Sequence, residues 1–158
     1  MNVQVLYDSK FGNTERIAQA IAKVLHATRV VRATDVEALD LSGCELLVIG
    51  GPTQVHGMSP ALKELDGKIR AEEVSGLPVA VFDTRAHMAR LLSGSAAHVV
   101  ARHLKQKGAT LVAEPESFFV TGTEGPLEDG EVERAERWAV GIQDALTYKY
   151  KVTTADAW

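Results

Sequence analysis

An α/β fold, with one doubly wound parallel sheet of five strands in a single domain, is what this sequence predicts. Short apolar or β-rich runs alternate with amphipathic helical runs along nearly the whole chain. The run Glu45–Gly50 is unbroken, as in a strand covered on both faces, and Leu77–Phe82 is a second apolar run. A length of 158 residues suffices to bury one substantial core without disulfides or a structural metal.

The elements follow in order. Val3–Tyr7 is β-rich, and Thr14–Leu25 places Ile17, Ala18, Ile21, Ala22 and Leu25 on one helical face. Arg29–Ala33 is a weaker second strand, and Glu45–Gly50 the third. Pro60–Ile69 reads as a short helix with Pro60 in its first turn, followed by the fourth strand, Leu77–Phe82. Ser95–Lys107 carries Ala96, Val99, Val100, His103 and Leu104 on one stripe and stops at Gly108. Thr110–Val120 is a fifth strand region that Pro115 interrupts, which implies a bulge, an edge position or two short pieces. Glu131–Leu146 has acidic residues near its start and turns Ala135, Trp138, Ala139, Ile142 and Leu146 inward. The domain is read as residues 1–146, and 147–158 as a tail without clear period. There Tyr148, Tyr150 and Trp158 either cover an edge or a neighbouring subunit, or fray.

Composition narrows the function. A net charge of −4 argues against a general nucleic-acid binder, which needs a concentrated excess of Lys and Arg. No apolar run reaches the roughly 20 residues of a membrane span, and no export signal precedes the first strand, so a cytoplasmic protein is expected. Cys44 is the only cysteine; without a basic neighbour it reads as structural.

In a sheet of this kind ligands bind beyond the carboxyl ends of the strands, which directs attention to three loops. After the first strand, Asp8-Ser9-Lys10-Phe11-Gly12-Asn13-Thr14-Glu15 combines hydroxyls, a glycine and an amide at a helix N-terminus. Those are the ingredients of an anion cradle, and equally of an ordinary turn capped by Asn13 or Thr14. The loop has neither Walker nor Gly-x-Gly-x-x-Gly spacing. After the third strand, the glycines and prolines of Gly50–Pro60 fix an unusual backbone path. After the fourth, Asp83, Thr84, Arg85 and His87 offer backbone donors and positive charge, or a turn with surface charge. Ser93-Gly94-Ser95 lacks a catalytic-serine context and reads as a helix cap; Thr121–Pro126 reads as a structural turn that can border the site.

At this point the chain resembles the flavodoxin family, through Val3–Tyr7, Ser9-Lys10-Phe11-Gly12-Asn13-Thr14-Glu15 and Gly50-Gly51-Pro52-Thr53. The resemblance implies the flavodoxin-like strand order 2-1-3-4-5 and FMN as cofactor. It implies that Ser9, Gly12, Asn13, Thr14 and the backbone of Lys10 and Phe11 wrap the 5′-phosphate. Phe11 stands where the family often has a second hydroxyl residue. Pro52, Thr53, Gln54, Val55, His56 and Gly57 would lie along the isoalloxazine ring, with Thr53 bonding a ring heteroatom. His56 would contact the ring or be simply exposed; the Gly57 peptide would answer to flavin N5. Asp83, Thr84, Arg85 and His87 would meet the pyrimidine edge. The aromatic residues that commonly flank the ring are missing from 52–60 and 83–93.

The functional expectation is an FMN-binding electron carrier serving a redox protein or a small-molecule donor or acceptor. An FMN-dependent NAD(P)H:quinone or flavin reductase, favoured by an open ring face, is the first alternative. A flavin-free binding or regulatory module of the same fold is the second.

Overall fold

In the computed structural model, which describes residues 1–54, 57–87 and 94–155, alternation along each strand decides the layering. β1 (Val3–Tyr7) turns Val3, Val5 and Tyr7 to one face and Leu6 to the other. β3 (Leu46–Gln54) divides Leu46 and Val48 from Leu47 and Ile49, and β5 (Pro78–Ala86) divides Ala80 and Phe82 from Val79 and Val81. The first face is covered by α1 (Asn13–Leu25) and α5 (Glu131–Ala155). The second is covered by α2 (Pro60–Lys68), α3 (Ala71–Val74) and α4 (Ala96–Gln106).

All neighbours in the main sheet are parallel: β2 (Arg29–Arg32) with β1, β1 with β3, and β3 with β5. The fifth strand is two pieces, β6 (Thr110–Leu111) and β7 (Glu116–Val120), both paired with β5 and separated by a gap that holds Pro115. Counted as one strand they give the expected order 2-1-3-4-5. A two-residue strand that the sequence pattern did not announce, β4 (Gly57–Met58), pairs antiparallel with the end of β3.

The strands run past their apolar stretches. Pro52, Thr53 and Gln54 lie on β3, and Asp83, Thr84 and Arg85 on β5, where loops were expected. The cause is register: β1 ends with Tyr7 opposite Gly50, whereas β3 and β5 stay paired through Pro52 and Thr84. Beyond Gly50, β3 has lost β1 as a neighbour, an edge position in which proline is tolerated. The two preceding glycines answer to packing. A Cβ on Gly50 would come within 2.0 Å of Phe82 Cζ, and one on Gly51 within 2.5 Å of Leu62 Cδ2.

The last helix continues to Ala155 rather than ending near Leu146. Thr147, Tyr148 and Lys149 are exposed, so no apolar stripe marks the extension. Trp158 and the side chain of Tyr150 lie outside the described residues. Cys44 is half-buried, with its thiol donating to the Leu46 carbonyl at 3.2 Å; burial pushes its pKa up, as befits a structural thiol.

Candidate functional site

The site begins at the start of α1. Gly12, with φ 89°, is the N-cap and makes no side-chain cap bond, so the turn enters the helix through a conformation that favours glycine. Asn13 and Thr14 open the helix, where backbone N–H groups have no intrahelical acceptor. Ser9 Oγ accepts from the N–H groups of Gly12 at 3.2 Å and Glu15 at 3.3 Å, which leaves its own proton to donate. Thr14 Oγ1 lies 2.7 Å from Thr84 Oγ1. That bond uses one hydroxyl proton of the pair, and the other remains for a ligand. Asn13 Nδ2 donates to the Glu124 carbonyl at 3.1 Å and ties down the loop after β7.

Above this terminus opens a cleft of about 400 Å³. Ser9, Lys10, Phe11, Asn13 and Thr14 form one wall; Pro52, Thr53 and Gln54 on β3 and Thr84 and Arg85 on β5 form the floor and far side. The structure therefore brings together most of the residues that the sequence singled out. It adds Ala86, Val120, Gly122 and Thr123. The last two belong to the turn after the final strand, read from the sequence as structural but able to border the site; Ala86 and Val120 are paired residues at the ends of β5 and β7.

Other expected residues lie elsewhere. Gly12 borders an open groove behind the loop, with Arg16 and Glu124. Gly57 pairs with Gln54 and borders a groove with Met58, Pro60 and Lys63; it is not among the described residues lining the cleft, although its partner Gln54 lines both. Asp83 is wholly buried, neither turn nor surface charge. Its Oδ2 accepts from Thr53 Oγ1 at 3.1 Å, Ser95 Oγ at 2.6 Å and the Ala97 N–H at 3.1 Å. Strand alternation explains the split: Thr84 shares the α1 face with Phe82, and Asp83 the α4 face with Val81. His87 stacks on Phe119 at 4.2 Å and stands 3.6 Å from Glu128. Val55, His56 and Ser93 lie outside the described residues.

Thr53 lines the cleft, but its hydroxyl is engaged, donating to Asp83 and accepting from the Ala96 N–H at 3.0 Å. It cannot donate to a ligand without surrendering the bond to Asp83. Ser95 caps α4 as expected, accepting from the His98 N–H at 3.3 Å.

Lys10 and Arg85 are the charged side chains among the described residues lining the cleft, and no acid joins them. Arg85 is held by its Nε bond to Ser117 Oγ at 3.0 Å and by the Phe119 ring, 5.3 Å from its guanidinium carbon. A terminus with open N–H groups, surplus hydroxyl protons and flanking cations fits a phosphate monoester. Among the described residues no cluster of His, Cys, Asp or Glu could hold a metal ion, and no helix is long and apolar enough to cross a membrane.

Comparison with known proteins agrees with this fold. Residues 4–91 match the model of the flavodoxin domain. Flavodoxin 1 from Bacillus cereus superposes with a TM-score of 0.75 at 21% identity, over 91% of this chain and 98% of that one. A flavodoxin from the domain Archaea gives 0.73 at 21% identity, over 94% and 99%. The Flv1 flavodiiron core from Synechocystis sp. PCC6803 gives 0.71 at 17% identity, over 94% of this chain but 36% of that one. None of the curated proteins matches in sequence.

Proposed function

The chain belongs to the flavodoxin family, and on that premise we propose that it is an electron carrier whose FMN phosphate sits at the N-terminus of α1. The cofactor is FMN, and flavin-based electron transfer is the general activity. Bound FMN supplies reversible one- and two-electron chemistry in its ring; binding and orientation fall to the chain.

The observation that carries this reading is the pairing of Gly12 with the Thr14–Thr84 hydroxyl couple: an N-cap that makes no side-chain cap bond, beside a couple with a spare hydroxyl proton. The N–H groups of Asn13 and Thr14 and the Ser9 hydroxyl would bind the phosphate, while Lys10 and Arg85 add positive charge. Pro52–Gln54 and Arg85–Ala86 would border the ring. Phe11, 45% exposed at the cleft wall, offers an apolar surface where the loops that commonly carry aromatics have none.

Calorimetric titration of the apoprotein with FMN and FAD tests the assignment. FMN should bind and FAD much more weakly, because the loop encloses a monoester and an adenylate extension would crowd it. Equal affinities would overturn the closed phosphate site. Slow NAD(P)H oxidation by the holoprotein alone is the carrier's expected behaviour; rapid turnover would replace carrier with reductase.

A further inference from the structure

Glu15 is an awkward neighbour for a phosphate. It is in the first turn of α1, its backbone N–H donates to Ser9 Oγ, and it borders the groove that shares Phe11 and Asn13 with the cleft, so its charge belongs to the turn proposed to hold the dianion. An acid there suits the helix dipole but repels a bound phosphate.

The contacts beneath the loop resolve this conflict. Arg32, at the end of β2 and in register with Tyr7, places Nη2 2.9 Å from Glu15 Oε2. Tyr7 Oη donates to Glu15 Oε1 at 3.1 Å, and the Tyr7 ring lies 5.5 Å from the guanidinium carbon. Nη1 of the same guanidinium donates to the Ser9 carbonyl at 2.6 Å. One planar group thus grips both ends of the turn, and the ion pair is half-buried, with each side chain 32% exposed.

We propose that Arg32 is a positioning residue for the phosphate loop. It fixes the Ser9–Glu15 turn with its donors toward the cleft and neutralises the carboxylate that would repel the phosphate. It is not among the described residues lining the cleft and acts through Ser9 and Glu15. The inference rests on the reading of the cleft as an FMN phosphate site. Its consequence is selective: Arg32 matters to the phosphate and not to the ring.

FMN and riboflavin, which share the ring and differ by the phosphate, are the probes, titrated against the full-length apoprotein by flavin fluorescence. Arg32→Gln should weaken FMN binding about 10-fold or more, the scale of one lost bond to a charged group, and leave riboflavin within about twofold. Adding Glu15→Gln should return part of the loss, since the unpaired carboxylate goes with it. Arg32→Lys keeps the charge but cannot fork between two acceptors, so it should recover only part of the FMN affinity; it also serves if the glutamine variant does not fold. Equal loss for both flavins, or unchanged FMN binding, overturns the proposal and leaves Arg32 as an anchor of β2. A parent protein that binds no FMN overturns the phosphate-site reading itself, whereas a binding parent matched by both Arg32 variants sinks this inference alone.

Discussion

α1 and α4 both start near the carboxyl edge of the sheet, and their first turns are finished in opposite ways. At α4 every early donor has an internal acceptor: Ala96 N–H on Thr53 Oγ1, Ala97 N–H on Asp83 Oδ2, His98 N–H on Ser95 Oγ. The Asp83 carboxylate already occupies the place an anionic ligand would take. At α1 the cap is a glycine without a side chain, the Glu15 N–H alone of the first three helical residues has a side-chain acceptor among the described residues, on Ser9 Oγ, and Asn13 and Thr14 line a cleft. Two helix termini of similar polarity therefore differ in how far their own chain closes them.

Asp83→Ala should produce the largest effect. It leaves the Thr53 and Ser95 hydroxyls and the Ala97 N–H without their acceptor, and should destabilise the apoprotein by about 3 kcal/mol or more, read from the urea midpoint. At the other terminus the loss should fall on binding. Thr14→Val should weaken FMN by about 1.5–3 kcal/mol, while apoprotein stability drops by only about 1 kcal/mol for the bond to Thr84. If Asp83→Ala left stability intact, or Thr14→Val cost stability and no affinity, the contrast between the termini would be gone.

A third helix start sharpens the comparison through pH. Glu131, in the first turn of α5, accepts from the Phe119 N–H at 2.7 Å and from Arg134 Nε at 2.9 Å and Nη2 at 2.7 Å. Burial opposes its ionisation, yet Arg134 and the Phe119 N–H outweigh it and hold the carboxyl below its ordinary value. With the folded-state pKa depressed, the unfolded chain binds the proton more readily. The contribution is therefore present above the unfolded value of about 4.3 and is lost as pH falls through the folded one. Glu131→Gln should cost about 1–2 kcal/mol at pH 7, and the gap from the parent should narrow in denaturation curves taken below about pH 4.

How much of this was legible in the sequence depends on range. The loop proposed to hold the phosphate could be singled out because Ser9, Asn13 and Thr14 are neighbours in the chain, and the layering because each strand and helix carries its own period. Asp83 was misplaced because its acceptors' partners, Thr53 and Ser95, come from β3 and from the residue before α4. Polar residues at a strand's end give no local sign of burial. Thr84 was placed near the ring, but its bond to Thr14 spans 70 residues and exists only because β5 keeps its register past the apolar run. Arg32 escaped notice on a weak edge strand for the same reason. The extension of α5 was hidden because its exposed residues have no period to read.

The smallest expected effect belongs to Gly12→Ala, and it locates the boundary between the open terminus and solvent. Gly12 has φ +89°, and a Cβ built there meets nothing within 4 Å. Alanine therefore adds no clash, only the strain of a left-handed backbone, about 1 kcal/mol of stability. The Gly12 N–H is directed to Ser9 Oγ, and the residue borders the groove behind the loop rather than the cleft. FMN affinity should accordingly stay within about threefold of the parent, far less than the loss in Thr14→Val. Parallel urea and flavin titrations separate the two quantities. Were Gly12→Ala to lose only this modest stability but more FMN affinity than Thr14→Val, the phosphate would lie over Gly12, between Arg16 and Glu124, and the terminus would open onto the rear groove.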